Sequence, residues 1–337
     1  MGSKGVRSAH SIDVWRLFAA FLVVCVHFPL PGMAGGIAIT YAKTAVPFFI
    51  IVSGYFCYRD DRKVFAKRLG KQILKLAVLC VFANVLFFGV SYYMSGASSV
   101  GVYKVMKFSD TTWKDFWLVN QSPFADHLWF LGSMVYAMLI VLFLVGLHIH
   151  NYVFFISPLL LGVYIYMSRS GNYNFLYCRN AVFCTMPYFM YGCLIHRYEE
   201  KIIDKINKKI IMGALLIAFV GTFLEFWHYK DVSITFIGPE LLVILLVIFL
   251  VQNKNLGKGT IYEHIGRRDT LFIYIMHFVL VLYFYDKYAS YAPSYIMNFG
   301  TVIIFFATLV AAELFQLIKY GAYLLCKSFS SHKNSRM

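Results

Sequence analysis

The chain has 337 residues, of which 60% are hydrophobic and 14% are charged, and its mean hydropathy is +0.66. A soluble domain of this length would be far more polar, so the composition excludes a soluble globular protein. The formal net charge of +15 would suit nucleic acid, but most aromatic residues fall in or beside apolar runs rather than on a basic soluble face. We therefore expect no nucleic-acid partner.

Apolar runs of about 20 residues recur from one end of the sequence to the other, which is typical of membrane-spanning helices. The sequence shows no short alternating strands and no internal repeat. This pattern predicts an all-α, polytopic integral-membrane bundle in which residues 1–337 form one domain. The ten predicted spans, in chain order, are 13–30, 39–58, 73–94, 127–148, 152–168, 180–196, 210–228, 233–251, 269–286 and 297–325.

Most lysines and arginines fall in segments that lie on one side of the membrane if the N-terminus is cytoplasmic. This distribution follows the positive-inside rule, so it predicts a multi-pass protein of the plasma (inner) membrane with both termini in the cytoplasm. The basic surplus also suits the anionic headgroups of the surrounding membrane lipid. The sequence makes no prediction about the oligomeric state.

The first span, "IDVWRLFAAFLVVCVHFPL", contains Arg16 and His27. Eleven residues of helix correspond to three turns plus about 20° and a rise of about 16 Å. The two side chains therefore share one stripe at two depths, and ionisable groups inside spans usually face a bundle interior or a watery cavity. The alternatives are that Arg16 extends to the headgroups and that His27 bonds a neighbouring helix.

The second and third spans carry the next polar features. Gly54 permits a close backbone approach, and Ser53 beside it either packs against a neighbour or donates a hydrogen bond to a substrate. "KRLGKQILK" then places Arg68, Lys71 and Lys75 on one face of the helix that enters the third span. This cluster either directs membrane insertion or binds an anion.

Polar residues in the later spans extend the candidate site. Asp126 and His127 open the fourth span at a depth similar to that of the first-span histidine, which they could orient, although Asp126 could equally cap the helix. Trp129 either lines a pocket or anchors the span at the interface. His277 in the ninth span either lines a cavity or forms a hydrogen bond with a neighbouring helix. Glu240 in the eighth span is either a protonated structural carboxyl or part of a proton or solute pathway.

No metal site is predicted. The seven cysteines form no CxxC pair and are interpreted as small apolar packing residues. His148 and His150 are two residues apart, so on a helix they would point to different faces. Combinations of histidine and cysteine at metal-ligand spacing are absent from the sequence.

Four segments resemble the membrane acyltransferase-3 family, which includes the membrane domains of vancomycin-resistance serine racemases. They are "IDVWRLFAAFLVVCVHF", "AVPFFIIVSGYFCY", "HLWFL" at 127–131 and "TLFIYIMH" at 270–277, in the order that the family shows. The resemblance implies an integral-membrane enzyme that takes an acyl group, commonly acetyl, from cytoplasmic coenzyme A. It also implies transfer to a hydroxyl or amine, often on a cell-envelope glycan.

This chemistry suggests roles for the candidate residues. Arg16, Arg68, Lys71 and Lys75 would bind the polyanionic nucleotide of the acyl-CoA, although the family has an Arg-x-x-Arg pair where this sequence has Arg68 and Lys71. His27 would act as the general base or as a transient acyl carrier. Its rise of about 16 Å above Arg16 is comparable to the reach of an extended pantetheine arm.

The acceptor would then meet the remaining candidates, of which Asp126 and His127 are predicted to be catalytic. The predicted substrate-binding residues are Ser53, Trp129, Glu240 and His277. The competing function is a carrier of a small solute such as an amino acid, because carriers also need many spans and buried charges. Many carriers contain inverted repeats, which this sequence does not show.

Overall fold

The computed structural model describes residues 9–94, 110–122, 124–173, 175–232, 235–288 and 294–334. Within these ranges every regular element is helical, which confirms the predicted all-α class. The longer helices, in chain order, are α1 (His10–His27), α2 (Gly32–Ala42), α3 (Ala45–Cys57), α4 (Arg62–Met94), α5 (Asp110–Val119), α6 (Trp129–Gly146), α7 (Ser157–Arg169), α8 (Met186–Arg197), α9 (Glu199–Lys205), α10 (Lys208–Tyr229), α11 (Ile237–Gln252), α12 (Ile261–Arg268), α13 (Thr270–Tyr288) and α14 (Ser294–Asn334).

Several of these helices are long and apolar enough to cross a membrane, so the chain is a multi-pass membrane protein. In the described part of the chain there are seven such spans, and α11 and Thr270–Phe284 are shorter apolar helices. The predicted second span is divided into α2 and α3, and the predicted sixth span is represented by the short α8. The number of ten spans and the cytoplasmic termini remain predictions.

The centre of the bundle is the contact between α3 and α8. A Cβ added to Gly54 would lie 2.1 Å from the carbonyl oxygen of Phe189, and one added to Gly192 would lie 2.0 Å from that of Ile51. Only glycine therefore allows the two backbones to approach so closely. The predicted role of Gly54 in close packing is confirmed.

Helix α1 crosses the bundle interior and contacts α3, α12 and α13. Its buried side chains include Ile12, Ala19 and Val24, which are at most 1% exposed. Gly266 of α12 lies so close that an added Cβ would be 1.8 Å from the carbonyl oxygen of Asp13. These contacts fix the height and rotation of α1, and they direct its polar stripe inward.

The outer face of the bundle is apolar. Helices α4, α10 and α14 expose large hydrophobic side chains such as Phe82, Ile217 and Ile318, which are 60%, 75% and 71% accessible. An exposed apolar surface of this extent suits lipid rather than water. By contrast, the polar candidates His127, Glu240 and His277 are buried in the interior of the bundle.

Candidate functional site

Two cavities lie toward opposite ends of α1, and each contains one end of the α1 stripe. The Arg16 cavity has a volume of about 230 Å³, and its lining is Arg16, Phe49, Val52, Ser53, Phe56, Gln72, Leu76, Phe130, Leu131, Met134, Met138, Thr270, Leu271 and Tyr274. The His27 cavity has a volume of about 220 Å³, and its lining is Val23, Val26, His27, Ala42, Lys43, Val46, Pro47, Ile50, Trp129, Tyr164, Arg179, Cys184, Tyr188, Val232, Thr235 and Glu240.

Arg16 is held in place by a network of charges at the mouth of its cavity. Its Nη1 donates to Oδ1 of Asp13 at 2.6 Å, one turn earlier on α1. The other carboxylate oxygen of Asp13 accepts from Nε of Arg267 at 2.8 Å, and Arg267 also pairs with Glu263. One buried carboxylate thus orients two guanidinium groups, of which that of Arg16 lines the cavity.

Three arginine side chains lie near the C-terminal end of α3. The guanidinium of Arg16 lies 5.4 Å from the ring centroid of Phe56, and the carbonyl oxygen of Phe56 accepts from Arg59 and Arg68, each at 3.1 Å. Arg68 is therefore directed toward the end of α3, next to the cavity wall. This cluster of cations can neutralise a polyanion such as a nucleotide.

The two predicted lysines of α4 have a different position. Lys71 and Lys75 are exposed, and the residues of α4 that line the cavity are Gln72 and Leu76. The reason is that each lysine precedes a lining residue by one position, which is a rotation of about 100° on a helix. Of the three cations predicted on α4, which are Arg68, Lys71 and Lys75, only Arg68 is directed toward the bundle.

Ser53 lines the Arg16 cavity but bonds its own helix. Its Oγ donates to the carbonyl oxygen of Phe49 at 2.7 Å. This i to i−4 bond occupies the hydroxyl proton and leaves the oxygen lone pairs facing the cavity. Ser53 therefore lies at the end of the site that contains Arg16, and His27 lines the other cavity.

Three histidines from different helices meet between the two cavities. The ring centroid of His27 lies 5.9 Å from that of His127 and 5.3 Å from that of His277, and the last two are 5.4 Å apart. Phe278 packs against His27 and His127 with centroid separations of 5.2 and 4.5 Å. The His cluster (His27, His127 and His277) is thus assembled from α1, α13 and the turn before α6.

The hydrogen bonds of the cluster identify the free nitrogens. Nδ1 of His277 lies 2.9 Å from the carbonyl oxygen of Ile273, and a carbonyl can only accept, so Nδ1 carries the proton and Nε2 is left as an acceptor. That Nε2 and both ring nitrogens of His127 are buried without a hydrogen-bond partner in the described part of the chain. These ring nitrogens are therefore open to a hydrogen bond from a bound molecule.

Tyr274 connects the cluster with the Arg16 cavity. Its ring lines that cavity, its centroid lies 5.5 Å from that of His127, and its hydroxyl donates to the carbonyl oxygen of His127. On α6, Trp129 lines the His27 cavity whereas the next residue, Phe130, lines the Arg16 cavity. The two cavities thus approach each other at the start of α6, across a layer of side chains next to His127.

Arg179 is a charged residue of the His27 cavity that the sequence interpretation missed. It precedes Asn180, whose Oδ1 accepts from the backbone N–H groups of Val182 and Phe183 at 2.9 and 2.8 Å and so begins the helical segment that leads into α8. The guanidinium lies 5.3 Å from the ring centroid of Trp129. This capped turn places a cation in the same cavity as His27.

Glu240 also lines the His27 cavity, at the start of α11, and is 5% exposed. It accepts a hydrogen bond from the hydroxyl of Tyr188 and attracts the ammonium group of Lys43. Lys43 lies in the turn between α2 and α3, with Nζ 4.3 Å from the ring centroid of Phe236. Both groups line one cavity, and Asp231 and Glu225 also attract the ammonium group of Lys43.

Asp126 is exposed, and its Oδ1 accepts from Nε2 of Gln121 at 3.2 Å. The helical turn that begins at Asp126 receives no side-chain cap. Within the site, Asp126 acts electrostatically, because its carboxylate attracts the guanidinium of Arg179. In the described part of the chain, no group of three or more histidine, cysteine or acidic side chains is arranged to hold a metal ion.

Comparisons with known proteins agree with the pattern of the four segments. A family model described as "Acyltransferase domain" (Acyl_transf_3) matches residues 9–315. An amino-acid racemase of Enterococcus faecalis is 24% identical over 354 aligned residues, which cover 92% of this chain and 46% of the racemase. The chain thus spans about half the length of this curated relative. No solved structure matches the chain.

Proposed function

Because the chain belongs to the acyltransferase-3 family, we propose that this membrane acyltransferase transfers an acetyl group from acyl-CoA to a hydroxyl of an envelope glycan or small acceptor. The observation that carries the proposal is the position of two cavities at opposite ends of α1. One contains Arg16 and the other contains His27. The donor and the acceptor enter from opposite ends, and the acyl group crosses the layer between them.

The donor binds at the Arg16 cavity. Its phosphates meet Arg16, Arg68 and Arg267, since guanidinium groups bind phosphate oxygens through paired N–H bonds. Its pantetheine arm extends along the cavity, whose wall is mostly apolar and contains Phe49, Leu76 and Met134. The rise of about 16 Å from Arg16 to His27 brings the thioester to the His cluster.

The acceptor binds in the His27 cavity with one hydroxyl at the imidazole of His27. The hydroxyl oxygen attacks the thioester carbonyl carbon while a nitrogen of His27 takes the hydroxyl proton. The carbon–sulfur bond then breaks, the acetyl ester remains on the acceptor, and the CoA thiolate leaves and takes a proton. An amine acceptor follows the same course and yields an amide.

His277 and His127 assist this proton transfer. The free Nε2 of His277 can accept the proton that His27 gains, because the two rings are adjacent. A covalent acyl-histidine is the other route for the same residue, and it would be detected as a labelled enzyme.

The test uses purified full-length protein in nanodiscs with labelled acetyl-CoA and envelope extract, and mass spectrometry identifies the molecule that acquires the label. We expect His27→Ala to lower transfer by about 10²–10⁴-fold, the usual contribution of a general base. His228→Ala on the exposed end of α10 is the matched control. Undiminished transfer by folded His27→Ala protein would refute the assignment.

A carrier is the alternative outcome of the same preparation. A carrier would accumulate solute in proteoliposomes, and it would neither bind CoA nor transfer label. This result would reject the acyltransferase proposal for this chain while leaving the family membership intact. Arg16→Gln gives a second measurement, because weaker binding of acetyl-CoA is expected only if the Arg16 cavity is the donor site.

A further inference from the structure

The N-terminal part of α4 carries lysines that the proposed reaction does not use. Lys63, Lys67, Lys71 and Lys75 recur every fourth residue, and all four are exposed. In the described part of the chain, no carboxylate pairs with any of them. We propose that this lysine row (Lys63, Lys67, Lys71 and Lys75) binds the phosphate headgroups of anionic phospholipids at the membrane surface. Such a lipid site does not depend on the acetyl transfer proposed above.

The charge of this segment has one sign. From Arg62 to Met94, α4 contains six lysines and arginines and neither aspartate nor glutamate. The other long basic segment, residues 197–209, contains five lysines and arginines but also three acidic residues, so its net charge is 5 − 3, or +2. Four to eight cations directly beside a span are typical of segments that attract anionic lipids. The α4 segment therefore has the charge that such a site needs.

The lysine row lies on the side of α4 that faces lipid. At about 100° per residue, successive lysines of the row are offset by about 40°, so all four fall within an arc of about 120°. The exposed Val78 and Val85, further along the helix, fall within the same arc. The buried Phe65 and Leu69 lie on the opposite side of the helix. One face of α4 is thus basic at its start and apolar along the rest of its length.

The length of α4 sets the depth of the lysine row. About 20 helical residues cross the hydrocarbon core, and counting back from Met94, the last residue of α4, they reach Lys75. Lys71 then lies about 6 Å further out, within a headgroup layer that is about 5–8 Å thick. Lys67 and Lys63 lie beyond that layer, at about 12 and 18 Å. We therefore expect direct phosphate contacts from Lys71 and Lys75 and a weaker, salt-screened attraction from the other two lysines.

Other occupants fit this surface less well. A second copy of the chain would bring the same four cations, and like charges repel. A soluble nucleotide on the lysine row would lie on the side of α4 turned away from the Arg16 cavity, whose lining from α4 is Gln72 and Leu76. A phospholipid supplies acyl chains that cover Val78 and Val85, and also a phosphate that pairs with the lysines at the start of the same face.

The experiment measures how single lipids bind to purified full-length protein in detergent, by native mass spectrometry. Dioleoylphosphatidylglycerol and dioleoylphosphatidylcholine have the same acyl chains, but only the first carries a net charge. We expect the dissociation constant of the anionic lipid to be lower by about tenfold or more. This preference should decrease as salt is added, because exposed charges are screened. Equal dissociation constants for the two lipids would overturn the lipid site.

Variants assign the preference to the lysine row. Lys71→Gln/Lys75→Gln should weaken binding of the anionic lipid by about 10–30-fold, since each lysine near the surface contributes about fivefold, and should leave binding of phosphatidylcholine unchanged. Lys71→Arg/Lys75→Arg should retain the preference, because the positive charges remain. The matched control is Lys205→Gln/Lys209→Gln, which removes two exposed lysines at the same sequence spacing. This control should change the preference by less than about twofold.

CoA, added as a soluble polyanion, tests the other occupant of the lysine row. We expect Lys71→Gln/Lys75→Gln to lose the lipid preference while its affinity for CoA changes less. A larger loss of CoA affinity than of lipid affinity would show that the row binds nucleotide, and it would overturn the lipid site. An unchanged lipid preference in this double variant, with a wild-type melting temperature, would also overturn it, as would an equal loss in the control.

Discussion

The contact between α3 and α8 makes a quantitative prediction about stability. In Gly192→Ala the new Cβ would stand 2.0 Å from the carbonyl oxygen of Ile51 and 2.7 Å from the backbone nitrogen of Tyr55. Real Cβ atoms essentially never approach a neighbour within 3.0 Å, so the helices must separate by at least 3.0 − 2.0, or about 1 Å. Overpacking costs about 1–3 kcal/mol, and the upper figure applies because the opposing atoms are backbone.

The gain in helix propensity from glycine to alanine is about 1 kcal/mol, so the net loss should be about 2 kcal/mol. For the purified protein in detergent, this loss should lower the melting temperature by about 3 °C. The separation of α3 should also raise the KM for acetyl-CoA, because α3 carries Ser53 and Phe56 of the Arg16 cavity.

The matched control is Gly213→Ala on α10, where an added Cβ meets nothing within 4 Å. This exposed helical position should show an unchanged or slightly higher melting temperature, since only the propensity changes. The reasoning would be refuted if Gly192→Ala melted at or above the wild-type temperature. It would also be refuted if the control lost as much stability as the test variant.

Three further predictions concern the Arg16 end of the bundle. Asp13→Asn removes the carboxylate that two arginines share and should cost about 2 kcal/mol, because the half-buried Arg16 loses a charged hydrogen-bond partner. A melting temperature within 1 °C of the wild type would contradict this. The double variant Lys71→Gln/Lys75→Gln should change the KM for acetyl-CoA less than Arg68→Gln does, because both lysines are exposed. Initial-rate kinetics measure both KM values, and a larger change in the lysine double variant would contradict this prediction. Hydrogen bonds from His10 and from the Gly259 N–H lower the pKa of Glu263. The ionised Glu263 therefore stabilises the fold above the ordinary glutamate pKa, and this stabilisation is lost as the pH falls through the lowered pKa of the folded state. Thermal melts of Glu263→Gln should lack this acid-dependent loss.

Features that depend on periodicity could be predicted from the sequence. The spacing of Arg16 and His27 on one helix follows from 3.6 residues per turn, and the structure places both side chains at cavities rather than at the apolar surface. Gly54 could be predicted as a close-packing residue because a glycine in an apolar span permits backbone contact. Both predictions need only local information, since the helix itself sets the geometry.

Features that depend on long-range contacts could not be predicted in this way. Lys71 and Lys75 share a face with Arg68 by spacing alone, but the packing of α4 decides which part of that face meets the bundle. Arg179 lies in a loop, fifty residues from Trp129 in sequence, and periodicity gives no signal there. The one available signal was an arginine on the predicted outer side, against the charge bias of the other loops.

Helix α1 is uninterrupted from His10 to His27, and this restricts how its sequence can change in evolution. The separation between its two functional ends is set by backbone hydrogen bonds of an uninterrupted helix, and not by the residues that surround either end. Under the proposed reaction, substitutions around His27 would therefore change which molecule receives the acyl group without altering the depth of the acyl-CoA thioester. An insertion or deletion of one residue within α1 would instead rotate one end of the helix by about 100° relative to the other. Related sequences should therefore differ in α1 by amino-acid substitutions and not by insertions or deletions.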